Sequence, residues 1–199
     1  DIYNADSIEL LKVGEIKYDK ELDFNVYNQI IEEYKECSKK EKCYEKSDIK
    51  DGISVKMYNE TIDSSAYFYI EYLLTNVVVT HEDVSEIYYE FLGENFYDDI
   101  NRYQLRVVLP LPSSEQIRLW AHGPLHGNVE YLYDEDNKTY YGAYVKIDKL
   151  SSGIPVDIRI VFPKDQIMVS VNEQNKETKI EALNKILKVE ETRAIEANN

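Results

Sequence analysis

Alternation of apolar and polar side chains through the middle of the chain limits what it can fold into. In residues 103–109 every second side chain is apolar, whereas Gln104 and Arg106 fall on the opposite face. The alternation returns in residues 156–162. A period of two predicts half-buried β-strands, because successive strand residues face opposite sides of a sheet. One shared core is expected to contain Tyr103, Leu105, Val107, Leu109, Ile158, Ile160 and Phe162, with Val108 and Arg159 more exposed.

Further strands are predicted around these two. Residues 67–74 are apolar on both faces, which predicts a central strand. Residues 129–133 and 139–147 flank a polar loop of hairpin length and predict a β-hairpin. Prolines and glycines interrupt the region at short intervals, and no long helix intervenes. This pattern predicts an antiparallel β-sandwich, immunoglobulin-like in architecture, over residues 51–172.

The period of the pattern differs at the two ends of the chain. In residues 1–50, the segment 16–27 is predicted to be extended, and Ile30, Ile31 and Tyr34 recur at helical spacing, which predicts a short helix. In residues 173–199, a capping box at 178–181 predicts a helix from about residue 176 to residue 197. Its apolar stripe contains Ile180, Leu183, Ile186 and Leu187.

The second half of the predicted C-terminal helix has no apolar stripe. Beyond Val189 the sequence is polar almost all round, so that half is expected to project or fray rather than pack. A helix of about twenty residues spans roughly 30 Å. We therefore expect it to act as a spacer that leads toward a membrane anchor outside this chain.

The charge of the chain excludes two classes of partner. Asp and Glu total 38 against 23 Lys and Arg, a formal net charge of -15. Such a field repels nucleic acid and anionic lipid headgroups, so neither is an expected partner.

No apolar run approaches the roughly 18 residues that a membrane-spanning helix needs. The hydrophobic content of 43% is enough for a sizeable core.

Several residues could carry chemistry, and each has a plainer explanation. Cys37 and Cys43 have a spacing that fits either a small-loop disulfide or two free thiols, whereas zinc binding lacks a second ligand pair. His81, His122 and His126 are the only histidines and would be the ligands of a metal-dependent hydrolase. Because Gly123 and Pro124 prevent a helix between the last two, we expect no metal site and no cofactor.

Acidic pairs and tyrosines complete the candidate residues. Residues 82–83 and 134–137 could hold calcium through carboxylate oxygens, but solvated turns explain them better, as a loop explains Asp98 and Asp99. No nucleophile or phosphate-binding motif occurs, so an enzyme is not predicted. Exposed aromatic rings would form a platform for a glycan or peptide, whereas cross-strand pairing is the plainer role. The candidates for such a platform are Tyr88, Trp120, Tyr140 and Tyr144.

The order of these landmarks resembles the YciQ-like family of predicted bacterial membrane proteins, a family catalogued as domain of unknown function 2207. The resemblance covers about residues 53–198. Tyr89 and Phe96 stand where the family pattern has tryptophan, and residues 1–50 match poorly. The landmarks are residues 66–72 (AYFYIEY), 85–93 (SEIYYEFLG), Phe96, Ile100, Leu109 with Pro110, 120–127 (WAHGPLHG), 153–163 (GIPVDIRIVFP), 186–191 (ILKVEE) and 194–198.

The resemblance implies a place in the cell but no chemistry. It implies an extracytoplasmic domain that follows a signal peptide and precedes transmembrane helices, and it brings no catalytic residues. An oxidising compartment would favour the Cys37–Cys43 disulfide. We therefore expect a non-catalytic interaction or structural module of a membrane-anchored bacterial envelope protein, with an unidentified protein or envelope partner. The alternative is a module that binds envelope glycan or peptide.

Overall fold

The fold is mainly β, with one C-terminal α-helix, as the sequence predicts. The computed structural model describes residues 4–17, 30–38, 40–61, 65–167 and 176–197. The chain divides into two compact units, Asp1–Thr75 and Asn76–Asn199. The sequence-based boundary after residue 50 falls in the turn of a hairpin whose two strands both belong to the first unit.

The first unit contains two small sheets. One has the order β2-β1-β6 and the other the order β3-β4-β5. Strand β1 is antiparallel to both of its neighbours, with a bulge between Leu10 and Lys12. The strands are β1 (Ser7–Lys17), β2 (Ile30–Glu33), β3 (Lys35–Glu36), β4 (Cys43–Ile49), β5 (Gly52–Tyr58) and β6 (Phe68–Thr75).

The predicted N-terminal helix is wrong. Strand β2 occupies the place where the spacing of three apolar residues indicated a helix, and it pairs with the end of β1. Tyr34, the last residue of that pattern, is buried, and its amide donates to the Val13 carbonyl at 2.8 Å. So short an apolar pattern does not separate helix from strand, and the sheet partner decides. The predicted extended segment is confirmed up to Lys17, and its remainder lies outside the described residues.

The strand predicted at residues 67–74 exists as β6, but its predicted central position is wrong. Within the described part of its sheet, β6 pairs only with β1 and forms an edge. Phe68, Ile70 and Tyr72 are exposed along one of its faces. Apolar residues therefore occur on both faces of β6 because one face is an exposed, aromatic-rich surface, and not because both faces are buried.

The second unit is built from a five-stranded sheet, a three-stranded sheet and the helix. One sheet has the order β10-β13-β8-β7-β14 and the other the order β11-β12-β9. The strands are β7 (Val78–Thr80), β8 (Ser85–Leu92), β9 (Ile100–Ser113), β10 (Arg118–His122), β11 (Asn128–Asp134), β12 (Thr139–Leu150), β13 (Val156–Phe162) and β14 (Lys176–Glu177), and the helix is α1 (Leu183–Ala197).

Both sheets of this unit contribute to one core, as predicted. Leu109, Ile158, Ile160 and Phe162 are buried in one cluster, against which Tyr103, Leu105 and Val107 pack. The predicted hairpin is confirmed as β11–β12. Val108 is 49% exposed, in agreement with the predicted register. Arg159 lies on the side opposite the core, but its side chain is only 11% exposed, because the helix covers it.

Helix α1 begins later than predicted, and its N-terminus is capped by a distant residue. Lys176–Glu177 forms strand β14, parallel to β7, rather than the first helical turn. The carboxylate of Asp83 accepts hydrogen bonds from the amides of Ala182 (2.8 Å) and Leu183 (3.0 Å). The predicted capping box is therefore wrong, and Ile180, assigned to the apolar stripe, is exposed.

Candidate functional site

Helix α1 lies on the face of the five-stranded sheet that points away from the core. Residues paired across neighbouring strands share a face. Trp120 of β10, Arg159 of β13 and Tyr88 of β8 form one row across this outer face. His122, Asp157 and Glu90 form the next row. This outer face therefore carries aromatic and charged side chains, and the helix covers part of it.

Apolar contacts hold the beginning of the helix. Ala182 and Ile186 form a small buried cluster with Val161 of β13. Val84, Trp120 and Leu183 pack against that cluster. With the Asp83 cap, these contacts fix the first turns of α1 on the sheet.

Ionic contacts hold the second half of the helix, around Glu190. The Glu190 side chain is 2% exposed, although it is a carboxylate. Arg159 Nη1 donates a short hydrogen bond to Glu190 Oε1, and His122 Nε2 lies 2.7 Å from Glu190 Oε2. Arg193 Nη1 lies 3.6 Å from Glu190 Oε1. A carboxylate so deeply buried is stable only with such partners.

His122 connects the helix to the sheet. Its Nδ1 makes a short contact with Asp157 Oδ1, while its Nε2 faces Glu190 of the helix. Burial alone would lower the pKa of His122, but the hydrogen bonds to Asp157 and Glu190 outweigh it, so that its pKa is raised. The imidazolium form is therefore favoured at this position.

Tyr88 is bordered by two guanidinium groups. The Arg159 Cζ atom lies 4.1 Å from the centre of the Tyr88 ring, and the Arg193 Cζ atom lies 5.5 Å from it. Arg193 Nη2 also donates to the Tyr88 hydroxyl at 3.0 Å. Cation–π contacts of this kind are strongest where water is excluded. They attach Arg193, which is near the end of the helix, to the middle of the sheet.

The ionic contacts continue from Arg159 to His81. Arg159 Nε lies 3.4 Å from Glu86 Oε2, both atoms being buried, and Glu86 Oε1 lies 3.1 Å from His81 Nε2. His81 Nδ1 lies 2.7 Å from the Thr178 hydroxyl. We call the connected group the latch cluster; it comprises His81, Glu86, Tyr88, His122, Asp157, Arg159, Thr178, Glu190 and Arg193. A shallow cavity of about 230 Å³ borders its His81 end.

The three histidines do not form one site. His81 and His122 belong to opposite ends of the latch cluster, whereas His126 is exposed and its Nε2 lies 3.2 Å from the Lys149 carbonyl oxygen. Within the ranges that the structure describes, no group of three or more His, Cys, Asp or Glu could hold a metal ion.

The acidic pairs take structural roles. Asp83 caps α1. Asp134 Oδ1 accepts from the amides of Asp136 and Asn137, both at 3.0 Å, which closes the hairpin loop on itself. Asp99 Oδ1 accepts from the Ser152 amide at 2.9 Å. These carboxylates therefore stabilise turns and a helix terminus.

The four aromatic residues predicted as a ligand platform lie in two places. Tyr88 and Trp120 are on the outer face of the five-stranded sheet, whereas Tyr140 and Tyr144 are on β12 of the other sheet. All four are half-buried. A different set is more exposed. Tyr131 and Tyr133 of β11 are 39% and 41% exposed, and their ring centres lie 5.4 and 4.7 Å from that of Tyr140.

Comparison with known proteins places most of the first unit, and the second unit as far as residue 162, in one family. The model of the family described as "Predicted membrane protein (DUF2207) N-terminal domain" matches residues 7–162. This chain belongs to the DUF2207 family. No curated protein and no solved structure gives a significant match. In the described part of this DUF2207-family chain, no helix is both long enough and apolar enough to cross a membrane, α1 included.

The two cysteines of the DUF2207 domain are joined in the structure. The Cys37 and Cys43 Cα atoms lie 5.8 Å apart, within the usual range for a disulfide. The bridge connects the end of β3 to the start of β4 in the first unit. The oxidising compartment that would maintain it stays a prediction.

Sequence reasoning missed Arg159, Glu190 and Arg193, which are central to the latch cluster. The signal was present, because Leu183, Ile186, Glu190 and Arg193 recur at spacings of three and four on one helix face. The expectation that the helix projects or frays beyond Val189 rather than packs is wrong, since Glu190 and Arg193 both contact the sheet. A polar helix half can pack when the opposing surface carries matching charges.

Proposed function

We propose that this chain is an extracytoplasmic, non-catalytic module of a membrane-anchored protein of the bacterial cell envelope. It would act as a structural or interaction module with an unidentified protein or envelope partner. The main support for a non-catalytic role is that the histidine and carboxylate groups of the latch cluster hold α1 on the sheet. The family description as a predicted membrane protein supports the anchor. We also propose that the two sheets of the second unit form an immunoglobulin-like sandwich.

The arrangement of the latch cluster argues against acid–base catalysis. A general base must be within hydrogen-bond reach of a substrate proton. Both ring nitrogens of His122 already face carboxylates of the chain, and both ring nitrogens of His81 face Glu86 and Thr178. A substrate would have to displace these intramolecular partners before either histidine could act.

The cellular side is tested by protease accessibility of the full-length protein. In intact cells or spheroplasts, a protease added outside should remove an epitope tag placed in the 134–138 hairpin loop. A cytoplasmic control protein must survive the same treatment. Digestion that occurs only after lysis would contradict the extracytoplasmic proposal.

The non-catalytic part of the proposal has its own test. The purified chain, with and without added Zn²⁺, should hydrolyse no ester, phosphodiester, glycoside or peptide reporter above background. A turnover that His81→Gln and His122→Gln both abolish, while His126→Gln retains it, would establish an enzyme instead.

A glycan-binding module is the second candidate, because the exposed rings of Tyr131 and Tyr133 pack beside the half-buried ring of Tyr140. Aromatic faces are suited to the apolar faces of sugars. Titration of soluble cell-wall fragments should then shift the ring resonances of these tyrosines in NMR spectra, and Tyr133→Ala should weaken binding. Tyr97→Ala serves as the control, since Tyr97 is also exposed and lies elsewhere. Equal loss in both variants, or no shift in any ring, would exclude this site.

A further inference from the structure

His122 is placed so that each of its ring nitrogens faces a carboxylate. Nδ1 faces the Asp157 carboxylate of β13, and Nε2 faces the Glu190 carboxylate of α1. A carboxylate accepts hydrogen bonds and donates none. Neutral imidazole has one N–H donor, so it would leave one of the two carboxylates facing a lone pair. Only the imidazolium can donate to sheet and helix at once.

The charges around His122 lead to the same requirement. The carboxylates of the latch cluster are Glu86, Asp157 and Glu190, and its permanent cations are Arg159 and Arg193. A charged His122 therefore brings three cations against three carboxylates. Loss of its proton leaves an excess negative charge beneath the helix. Glu90 of β8 adds to that excess when it is ionised, and Tyr88 of the same strand lies edge-on, with its ring centre 6.1 Å from that of His122.

The two halves of α1 are held by different forces. The first half is capped by Asp83 and packs against the apolar side chains of Val84, Trp120 and Val161. Neither the cap nor the packing changes with the charge of His122. Beyond Ile186, the buried residue of the helix is Glu190, and it contacts the charged or titratable side chains of His122, Arg159 and Arg193. The second half can therefore loosen while the first half stays in place.

We propose that the second half of α1 is a pH-operated latch, docked on the sheet while His122 is an imidazolium and released when His122 loses a proton. This inference is independent of the proposed function. Release would uncover Tyr88 and Arg159 on the outer face. The direction is fixed by linkage: docking is fully favoured below the ordinary histidine pKa of 6.5 and is lost as pH rises through the raised pKa of docked His122.

Arg193 limits how completely the latch opens. Its Nη1 lies 3.2 Å from His122 Nε2. Once Nε2 has lost its proton, the guanidinium can donate to it and replace part of the lost contact. Arg193→Gln should therefore raise the pKa of His122 by removing a nearby cation, and should also make release at alkaline pH more complete.

His81 supplies a matched contrast. Its Nε2 faces Glu86, but its Nδ1 faces the Thr178 hydroxyl, which can either donate or accept. A neutral His81 with the proton on Nε2 satisfies both partners. His81→Gln should therefore leave the pH response of the helix in place, whereas His122→Gln should remove it.

The test follows the proton and the helix in the same chain. NMR of the His122 ring from about pH 5 to about pH 9 gives its titration midpoint. Amide exchange over the same range, corrected for the intrinsic rate, gives protection factors for the two helix halves. We expect protection at residues 192–197 to fall at that midpoint, by about tenfold for each unit by which the docked pKa exceeds the undocked one. Protection at residues 187–189 should stay constant.

Three outcomes would overturn the latch. The first is constant protection at residues 192–197 in the unmodified protein while His122 titrates. The second is a His122 ring of the unmodified protein that does not titrate in this range. The third is a His122→Gln variant that keeps the pH response of the unmodified protein. The expected His122→Gln result is low protection at residues 192–197 at every pH. If this variant does not fold, the measurements on the unmodified protein still decide.

Discussion

At the scale of single residues, a buried carboxylate explains the position of the helix. The Glu190 side chain is 2% exposed, and removing its charge from water costs several kcal/mol. Arg159, His122 and Arg193 offset that cost by surrounding it with positive charge. A buried ionic group of this kind adds little net stability, because the cost of desolvation offsets the attraction between the charges. Removing one member is strongly destabilising, because the others are left buried and unpaired.

We therefore expect Glu190→Ala to destabilise the second unit by about 3 kcal/mol or more. Glu191→Ala is the matched control, because Glu191 is the exposed neighbour on the same helix and should cost within about 0.5 kcal/mol. Urea unfolding followed by the fluorescence of Trp120, the chain's single tryptophan, measures both variants. Equal midpoints for the two variants would contradict the assignment.

The core residues make a simpler prediction. Ile160 is 0% exposed, so Ile160→Ala should cost about 2–5 kcal/mol through lost burial and the cavity left behind. Val108→Ala removes an exposed side chain from β9 and should cost far less. The denaturant midpoints of the two variants measure these losses of stability. A larger effect at Val108 would mean that the register of the core strands is wrong.

Gly142 is required by close backbone approach. Its φ is +153°, and a Cβ atom there would collide with the Val107 carbonyl oxygen of the neighbouring strand. Gly142→Ala should therefore lower the melting temperature strongly. In the control Gly123→Ala, the added Cβ meets its nearest atom, the Pro155 carbonyl oxygen, at an ordinary 3.5 Å. A melting temperature unchanged by Gly142→Ala would rule out this close approach in solution.

At the scale of elements, helix α1 shows how tertiary structure sets a boundary. Thr178 and Glu181 form a local capping pattern, but the Thr178 hydroxyl contacts His81 instead. The helix is capped by Asp83, which is far from it in the sequence. Sequence alone ranks the local cap first, because the approach of Asp83 depends on the sheet. The same cause turned the predicted helix near Ile30 into a strand.

Capping by Asp83 makes a stability prediction with a definite pH dependence. Burial tends to raise the pKa of Asp83, but the backbone amides of Ala182 and Leu183 outweigh it, and the pKa is lowered. Its stabilisation is therefore present above the ordinary value of 3.8 and is lost as pH falls through the lowered value. Asp83→Ala should cost about 1 kcal/mol at neutral pH.

Amide exchange in the first turns of α1 measures this effect. Glu82→Ala changes the exposed neighbouring carboxylate and should leave protection unchanged. As pH is lowered through the titration of Asp83, the difference between Asp83→Ala and the unmodified protein should disappear. A difference that persists in acid would show that the cap does not act through the ionised carboxylate.

At the scale of the whole molecule, the patterns that sequence predicts well are those that repeat. The alternation in β9 and β13 identified the core and its register, since many residues report the same period. The latch cluster could not be found this way, because Glu190, His122 and Arg159 come from three separate elements. The division after Thr75 was also hidden, because strands occur on both sides of it.

Because the disulfide lies in the first unit, reduction should affect the two units differently. Closing the small loop between Cys37 and Cys43 is worth about 2 kcal/mol in the chain-entropy model. Reductant should lower protection in β4 and β5 and leave that of β12 and β13 unchanged, as read by amide exchange. Mass measurement after alkylation without reductant checks the bond first. Two alkylated thiols in protein secreted into an oxidising compartment would disprove the bond.

The pairing of β14 with β7 affects how the second unit is made. A ribosome completes Val78–Thr80 before the other strands of this unit, but their partner strand Lys176–Glu177 and helix α1 are made only after those strands. Until then, the growing chain presents Trp120, Tyr88 and Val161 without the helix that covers them. The emerging chain is therefore at greatest risk of aggregation just before its synthesis reaches α1, and a chaperone that binds apolar surface would find its target in that interval.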